Sequence, residues 1–150
     1  MTVVSYAVDV DAPPERVWEV ISNPANLPHW DRHIVAVRGV PDGGLAYGVR
    51  YAVDMRFMAV PATIHAEIRE WDPPFRAMIH LRGVLDATVT STVDPLGGGR
   101  SRLEHVVEYR FAGGALGNVA ASSLRLVGGA RFALRRGTVA QKREIETGRR

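Results

Sequence analysis

The stretch Val8–Trp30, VDVDAPPERVWEVISNPANLPHW, contains the signals that decide the fold. It opens with alternating apolar residues, which are typical of a β-strand, and continues with two prolines, which are typical of the first turn of a helix. We expect Asp11 to cap this helix, because aspartate is a preferred residue where a helix begins. A second short helix is predicted to end at Trp30. Apolar residues at helical spacing predict one buried stripe along both helices: Val17, Trp18, Ile21, Leu27 and Trp30.

Beyond Trp30 the pattern changes from helical spacing to alternation. Turn signals rich in Pro, Gly and Asp recur at strand-length intervals, as in Pro41–Gly44 and Asp94–Gly99. Short alternating segments between regular turns favour an antiparallel meander. With the opening strand, this predicts seven strands, at residues 3–10, 34–40, 47–58, 62–71, 75–81, 84–93 and 101–111.

The C-terminal part of the chain returns to helical spacing. From Ala115 onward, apolar residues recur at steps of three and four, which predicts one helix of about 25–30 residues. Gly128, Gly129 and Gly137 interrupt this pattern. Adjacent glycines cost about 1 kcal/mol each inside a helix, so we expect a kink or a close approach of another backbone at Gly128 and Gly129.

This order of elements, together with the quoted N-terminal stretch, resembles the START-like (SRPBCC, Bet v 1-like) superfamily. Within it, the chain is most similar to polyketide cyclase/dehydrase and lipid-transfer-type domains. The resemblance covers residues 1–150 as a single domain. It implies an α+β helix-grip fold, in which a curved seven-stranded antiparallel sheet wraps around a long C-terminal helix, with two short helices between the first two strands. Members of the superfamily share a cavity rather than a catalytic motif.

The bulk composition is that of an ordinary globular domain. The chain has 150 residues, of which 46% are hydrophobic and 23% charged. It contains no cysteine, which excludes disulfides and thiolate chemistry. The N-terminus lacks a basic segment followed by an apolar one, and charged residues interrupt the most apolar window. We therefore expect no transmembrane segment and a cytoplasmic location.

Positive charge is concentrated at the C-terminal end. Residues 115–150 contain eight Lys and Arg against two Glu, whereas residues 1–114 carry eleven basic and fourteen acidic side chains. The simplest interpretation is a solvated helix face. The alternative is an anionic partner, such as an acyl-carrier protein, a membrane surface or nucleic acid. Nucleic acid is not expected, because no recognition motif is present and no aromatic residues alternate with the basic ones.

Side-chain alternation indicates which residues face the inside of the curved sheet. The inner face is mainly apolar and includes Phe75 and three alanines, Ala66, Ala77 and Ala87, which leave the wall thin enough for a chamber. A chamber of this kind is typical of small-molecule sites. The candidate ligand-binding residues are Trp30, Tyr51, Val53, Met55, Phe57, Ile64, Ala66, Ile79, Val89, His105, Val107, Tyr109 and Val127.

Few polar groups are predicted on this inner face. His105 and Tyr109 lie four residues apart on one strand, about 13 Å along it, and Ser91 is a further candidate. One interpretation is that these side chains are buried and bonded to neighbours. The other is that His105 and Tyr109 are catalytic, since an imidazole facing an apolar chamber suits proton transfer.

Other constellations are less informative. His29 and His33 are four residues apart but have no third histidine nearby, so we expect no metal and place both, with Trp30, at the cavity mouth. The glycines at 97–99 precede a strand rather than a helix, which argues against a phosphate loop. We expect no cofactor.

The resemblance also implies a pocket arginine, because aromatase/cyclases of the superfamily steer a poly-β-ketone with arginine, tyrosine and serine or histidine. Alternation places Arg69 on the outer face with Glu67, His65 and His80, and a shift of one residue would bring Arg69 inside. We therefore expect binding, including transport, of a hydrophobic polyketide, lipid or ring-containing metabolite. The alternatives are a polyketide cyclase/dehydrase-type enzyme, and an interaction module that uses the basic C-terminal helix.

Overall fold

The computed structural model describes residues 2–126 and 128–148. Seven strands form a single antiparallel sheet, and the α-helices lie between the first two strands and after the last one. The strands are β1 (Thr2–Val10), β2 (Ile34–Arg38), β3 (Arg50–Phe57), β4 (Val60–Asp72), β5 (Arg76–Arg82), β6 (Leu85–Gly97) and β7 (Arg100–Phe111). The helices are α1 (Pro14–Ile21), a 3₁₀ turn (Pro24–Asn26), α2 (Leu27–Trp30), α3 (Gly114–Leu126) and α4 (Ala130–Thr147).

The sheet runs in the order β1-β7-β6-β5-β4-β3-β2. All strands from β2 to β7 pair with their neighbours in sequence, whereas β1 pairs with β7 at the other end of the chain. The sheet curves around α4, so the predicted α+β helix-grip architecture and its seven strands are confirmed. No described helix combines the length and the apolar character needed to cross a bilayer.

The start of α1 differs from the prediction. Pro13 occupies the cap position in an extended conformation, with no side-chain cap, and Pro14 is the first helical residue. Asp11 does not cap the helix, because it lies two residues before the cap. Its backbone N–H instead donates to Glu146 Oε2 at 2.8 Å, which ties the chain before α1 to the end of α4.

The predicted single C-terminal helix is two helices. Gly128 and Gly129 adopt φ values of 103° and 92°, which no helix accommodates. Their amides close the end of α3 by donating to Arg125 and Leu124 carbonyls. By contrast, Gly137 stays inside α4, where a Cβ would lie 3.4 Å from the Trp30 carbonyl oxygen.

The core consists of two apolar clusters on the concave side of the sheet. The predicted stripe holds in the first, where Val17, Trp18 and Trp30 are buried and Ile21 and Leu27 pack against them. The second lies against β3, β4 and α3. Leu27 and Trp71 pack against both clusters. Phe75, predicted to face inward, is 44% exposed because it lies in the turn before β5.

Candidate functional site

A cavity of about 360 Å³ lies inside the curved sheet and is bordered by both core clusters. Strands β5, β6 and β7 form its floor, and α1, α2 and α4 cover it. The volume falls in the range of small-molecule sites. Among the described residues, the wall has no lysine or arginine, and Asp31 is its only carboxylate. Its apolar members include Trp18, Trp30, Trp71, Ile79, Leu81, Leu85, Val89, Val107, Phe111, Leu124 and Leu134.

The predicted ligand-binding residues fall into two groups. Seven line the cavity: Trp30, Tyr51, Ile79, Val89, His105, Val107 and Tyr109. Five others also face inward but pack into the second core cluster away from the cavity: Val53, Met55, Phe57, Ile64 and Ala66. Val127 lies outside the described residues. The cavity therefore occupies the β5–β7 side of the concave face, whereas the β3–β4 side is filled.

One hydrogen-bonded chain supplies the polar part of the wall. Ser91 Oγ lies 2.7 Å from His105 Nδ1, and His105 Nε2 lies 2.6 Å from Gln141 Oε1. Ser91 and His105 face each other across the β6–β7 ladder, where they are direct partners. Gln141 comes from α4, so the chain links two strands to the helix that covers them.

The direction of these hydrogen bonds follows from the chemistry of the groups. An amide oxygen only accepts, so His105 Nε2 carries the proton that Gln141 Oε1 receives. Burial lowers the pKa of His105, only partly offset by the bond to Gln141, which favours the neutral ring. Nδ1 is then an acceptor, and the Ser91 hydroxyl donates to it. The Gln141 amide nitrogen has no partner among the described residues.

Two phenols add further polar groups to the wall, which also includes Ser22 and Thr138. The hydroxyl groups of Tyr51 and Tyr109 make no hydrogen bonds to the residues that the structure describes. Burial raises the pKa of Tyr51 to about 12, so this side chain stays a neutral donor. Tyr109 packs edge-on against Phe111, with the ring centroids 5.7 Å apart. These groups leave hydrogen-bond donors available inside an otherwise apolar space.

At the rim of the cavity, side chains of α2 and of the loop that follows it form hydrogen bonds to α3 and α4. Glu144 Oε1 accepts from Trp30 Nε1 at 3.3 Å and lies 3.2 Å from His29 Nδ1. His33 lies between Asp31 and Ser123, with Nδ1 and Nε2 each 3.0 Å from an oxygen. The two histidines thus bind different partners, and only Trp30 of the predicted mouth residues reaches the cavity wall.

Arg69 lies on the outer face of the sheet, so its strand is not shifted by the one residue that would bring this side chain inside. Its guanidinium bonds to Glu67 at 2.7 Å and lies 3.1 Å from His80 Nδ1, both on the convex side. His65 is also exposed there. Arg69 does not reach the cavity, so the described wall lacks the pocket arginine that the family resemblance implied.

Comparison with known proteins matches this architecture to one family. The family model described as "Polyketide cyclase / dehydrase and lipid transport" matches residues 1–143. The chain belongs to this family. No curated protein sequence matches it.

Solved structures of the polyketide cyclase/dehydrase and lipid transport fold superpose over nearly the whole chain. A protein of Thermus thermophilus has a TM-score of 0.74 at 15% identity, covering 98% of this chain and 99% of the other. The Zhui aromatase/cyclase of Streptomyces sp. R1128 has 0.70 at 14%, covering 98% and 92%. A START superfamily protein of Mycobacterium smegmatis has 0.69 at 14%, covering 97% of each chain. At these identities the likeness concerns the fold.

Sequence reasoning missed several wall residues in this member of the family, and Trp71 and Gln141 are two of them. Trp71 points inward because the β4–β5 register shifts between Ile68 and Glu70, which reverses the alternation beyond that point. Its ring meets Trp18 edge-on at 5.0 Å. Gln141 is not predicted to face the cavity, because polar residues of an amphipathic helix are expected on its solvent-exposed face. Its four-residue spacing from the inward Gly137 was the available signal.

Proposed function

We propose that the chain binds an uncharged, hydrophobic small molecule in the inner cavity and carries it, the occupant being a polyketide, lipid or other ring-containing metabolite. The observation that carries this proposal is the combination of an apolar space of about 360 Å³ with one polar chain, Ser91–His105–Gln141, on its wall. Family membership supports the same class of ligand.

The lack of cationic side chains on the described cavity wall favours an uncharged ligand. A buried carboxylate or ammonium costs several kcal/mol unless a partner neutralises it. The described part of the cavity wall offers no cation, and Asp31 at the rim is held by the backbone N–H and ring of His33. The part of the ligand inside the cavity is therefore neutral.

Hydrogen bonding orients the occupant. The Gln141 amide nitrogen and the Tyr51 hydroxyl are donors without partners among the described residues, so they suit a carbonyl or ether oxygen. Each such bond contributes about 0.5–1.5 kcal/mol, and the apolar body contributes about 25 cal/mol per Å² removed from water. Affinity comes mainly from the apolar wall, and orientation comes from Gln141 and Tyr51.

Native mass spectrometry of freshly purified protein tests the proposal directly, because a carried molecule appears as a mass added to the intact chain. Displacement of an environment-sensitive apolar dye then compares an aromatic ketone with the matched aromatic carboxylate. We expect the ketone to displace the dye at concentrations at least about tenfold lower. Equal displacement by both probes would contradict a neutral cavity.

A second candidate is a polyketide cyclase/dehydrase-type enzyme, which the Ser91–His105 pair favours. A neutral imidazole whose Nδ1 accepts a proton is suited to general base catalysis. In a ring closure, Ser91 Oγ would take a proton from a carbon next to a carbonyl while its own proton passes to His105 Nδ1, and the resulting carbanion would attack a second carbonyl. Tyr109 would donate a hydrogen bond to the oxygen of that second carbonyl, and this oxygen becomes a hydroxyl group when it takes up the proton held on His105.

Substitution of His105 separates the two candidates. In an enzyme, His105→Ala abolishes turnover of a poly-ketone thioester analogue while dye binding persists. In a carrier, the same variant changes only the affinity. Tyr109→Phe is a companion variant that keeps the ring and removes only the hydroxyl group. In an enzyme it should lower turnover, because the hydroxyl group donates to the carbonyl oxygen.

We further propose that α4 faces an anionic partner. Arg131, Arg135, Arg136 and Arg143 are exposed along this helix. An acidic acyl-carrier protein and an anionic membrane surface both meet this charge requirement.

A further inference from the structure

The junction between α3 and α4 presents large apolar side chains to solvent. Leu126, the last residue of α3, is 77% exposed, and Phe132, in the first turn of α4, is 48% exposed. Phe132 folds back over the junction, since a Cβ on Gly128 would lie 2.9 Å from its ring. We call Leu126, Gly128, Gly129 and Phe132 the junction tip. An exposed leucine and an exposed phenylalanine on the two sides of one helix junction suit contact with an apolar medium.

Arginines lie close to the junction tip along the chain, at the end of α3 and in the first two turns of α4. Arg125, Arg131, Arg135 and Arg136 are exposed, and none forms an ion pair with a described residue. Arg131 and Arg135 are spaced i, i+4 on α4, and so are Phe132 and Arg136. The two like charges of Arg131 and Arg135 at this spacing slightly destabilise the helix, and an anionic surface would remove that repulsion.

Acidic groups are absent from this part of the sequence. Residues 114–143 contain no Asp or Glu. The two acidic residues near the end of α4 have other partners: Glu144 binds Trp30, and Glu146 binds Lys142 and the Asp11 backbone. Asp31 lines a surface pocket together with Phe132 and Arg136, but its carboxylate binds the backbone N–H and the ring of His33. The positive charge at the junction tip and on the adjoining face of α4 is therefore not paired with a described carboxylate.

We propose that the junction tip docks on an anionic lipid bilayer, with Leu126 and Phe132 entering the interface and the nearby arginines contacting lipid phosphates. Exposed apolar side chains next to several cations are the combination by which peripheral segments bind anionic membranes. An acidic protein surface would satisfy the arginines, but a bilayer also takes up both apolar side chains.

The junction tip lies next to residues that line the cavity, so docking there would bring the bilayer close to the ligand site. Leu124, Ala130, Ala133 and Leu134, within a few residues of the tip on either side, line the cavity. A bilayer in contact with Leu126 and Phe132 would therefore lie beside the cavity wall. This consequence rests on the proposed ligand-carrying function, whereas the docking itself does not.

Vesicle co-sedimentation of the full chain tests the docking. We expect the protein to pellet with vesicles containing about one third phosphatidylglycerol and to stay in the supernatant with pure phosphatidylcholine. Raising the salt concentration should release it. Each arginine near an anionic surface contributes about fivefold to binding, so Arg131→Gln, Arg135→Gln and Arg136→Gln together should weaken it on the order of a hundredfold.

A second variant, Leu126→Ser with Phe132→Ser, removes the apolar part and should weaken binding at least tenfold, since burial of each CH₂ strengthens binding about fourfold. The matched charge control is Arg82→Gln, Arg100→Gln and Arg110→Gln, which are exposed arginines on strands β5 and β7. The matched apolar control is Val3→Ser with Leu96→Ser, which are 59% and 46% exposed. Both controls should bind as the parent protein does. Circular dichroism establishes that each variant is folded.

Three outcomes overturn the proposal. The first is equal pelleting with neutral and anionic vesicles, and the second is unchanged binding in both tip variants. The third is an absence of vesicle binding while an acidic acyl-carrier protein binds through Arg131, Arg135 and Arg136, which would assign the surface to a protein partner. None of these depends on whether the cavity holds a ligand.

Discussion

His105 Nε2 and Gln141 Oε1, 36 residues apart in sequence, approach to 2.6 Å inside the cavity. This contact joins β7 to α4 at the point where the helix covers the sheet. The same ring binds Ser91 through Nδ1, so both nitrogens of a buried imidazole are satisfied. The polar chain thus fixes the position of α4 as well as the chemistry of the wall.

Removal of Gln141 should destabilise the fold. Gln141→Leu leaves the His105 Nε2 proton without an acceptor in a buried place, which costs about 1–3 kcal/mol. The urea midpoint measures this loss. Arg143→Ala, an exposed change on the same helix, should shift stability by less than about 0.5 kcal/mol. Equal effects of the two variants would show that the hydrogen bond contributes nothing to stability.

His105 should make stability depend on pH. Burial lowers the pKa of His105 in the folded protein, so below about pH 6.5 the unfolded chain binds a proton here that the native protein does not. Stability contributed by the neutral ring is therefore present above that pH and falls as the pH decreases toward the pKa of the folded state. Urea titrations between pH 8 and about pH 5 compare the protein with His105→Phe. The same slope in both would contradict this assignment.

Two inner alanines distinguish cavity wall from packed core. Ala87 lines the cavity, whereas Ala66 is 2% exposed within the second core cluster. Ala66→Leu should cost about 1–3 kcal/mol through overpacking. Ala87→Leu should cost less, because its added carbons enter empty space, and should weaken binding of an apolar dye. The test is a urea titration paired with a dye titration, and a larger loss for Ala87→Leu would place the empty space elsewhere.

The junction glycines should not tolerate a side chain. Gly128 and Gly129 both have positive φ, and only at Gly128 does a Cβ also meet the Phe132 ring. Gly128→Ala should therefore lower stability by more than Gly129→Ala, each by about 1 kcal/mol or more. Gly113→Ala is the control, since its Cβ has open space and no positive φ opposes it. A thermal melt ranks the three variants, and stabilisation at Gly128 would contradict the break between α3 and α4.

Trp18 should be essential to the first cluster. Its side chain is 9% exposed and meets the Trp71 ring edge-on at 5.0 Å. Trp18→Ala should cost about 3–5 kcal/mol, as emptying an aromatic core site does. A double-mutant cycle with Trp71→Ala should assign about 0.5–1.5 kcal/mol to the ring pair itself. Additive single changes would indicate that the rings do not interact.

The sequence predicts the strands well because alternation and turn chemistry are local signals. Pro41–Gly44 and Asp94–Gly99 mark turns that any antiparallel pairing must use. The same reasoning fails where a local rule is broken by pairing. Trp71 turns inward because of a register shift that only the β4–β5 pairing creates. The helix break at Gly128 is predicted only in part. Low helix propensity indicates a weak position in the helix, but it does not show whether the helix bends there or ends.

The candidate site is predicted less completely than the fold. Alternation shows that Val53 and Val89 both face inward, but it does not show that α3 fills the space near Val53 while the space near Val89 stays open. That distinction depends on how helices and sheet pack in three dimensions. The partner of His105 is likewise a tertiary fact, because Gln141 reaches it from another element.

The pairing of β1 with β7 has a consequence for how this chain is made. Thr2–Val10 leaves the ribosome before the other six strands, yet Val4 faces Val107, and β7 is complete only when Phe111 has been added. Closing a loop of that length is an entropic cost that must precede its stabilising contacts, which slows folding. Lys142 then bonds to the Asp9 carbonyl and brings α4 onto β1. Nascent chains that stop before β7 therefore keep their first strand unpaired and exposed to aggregation.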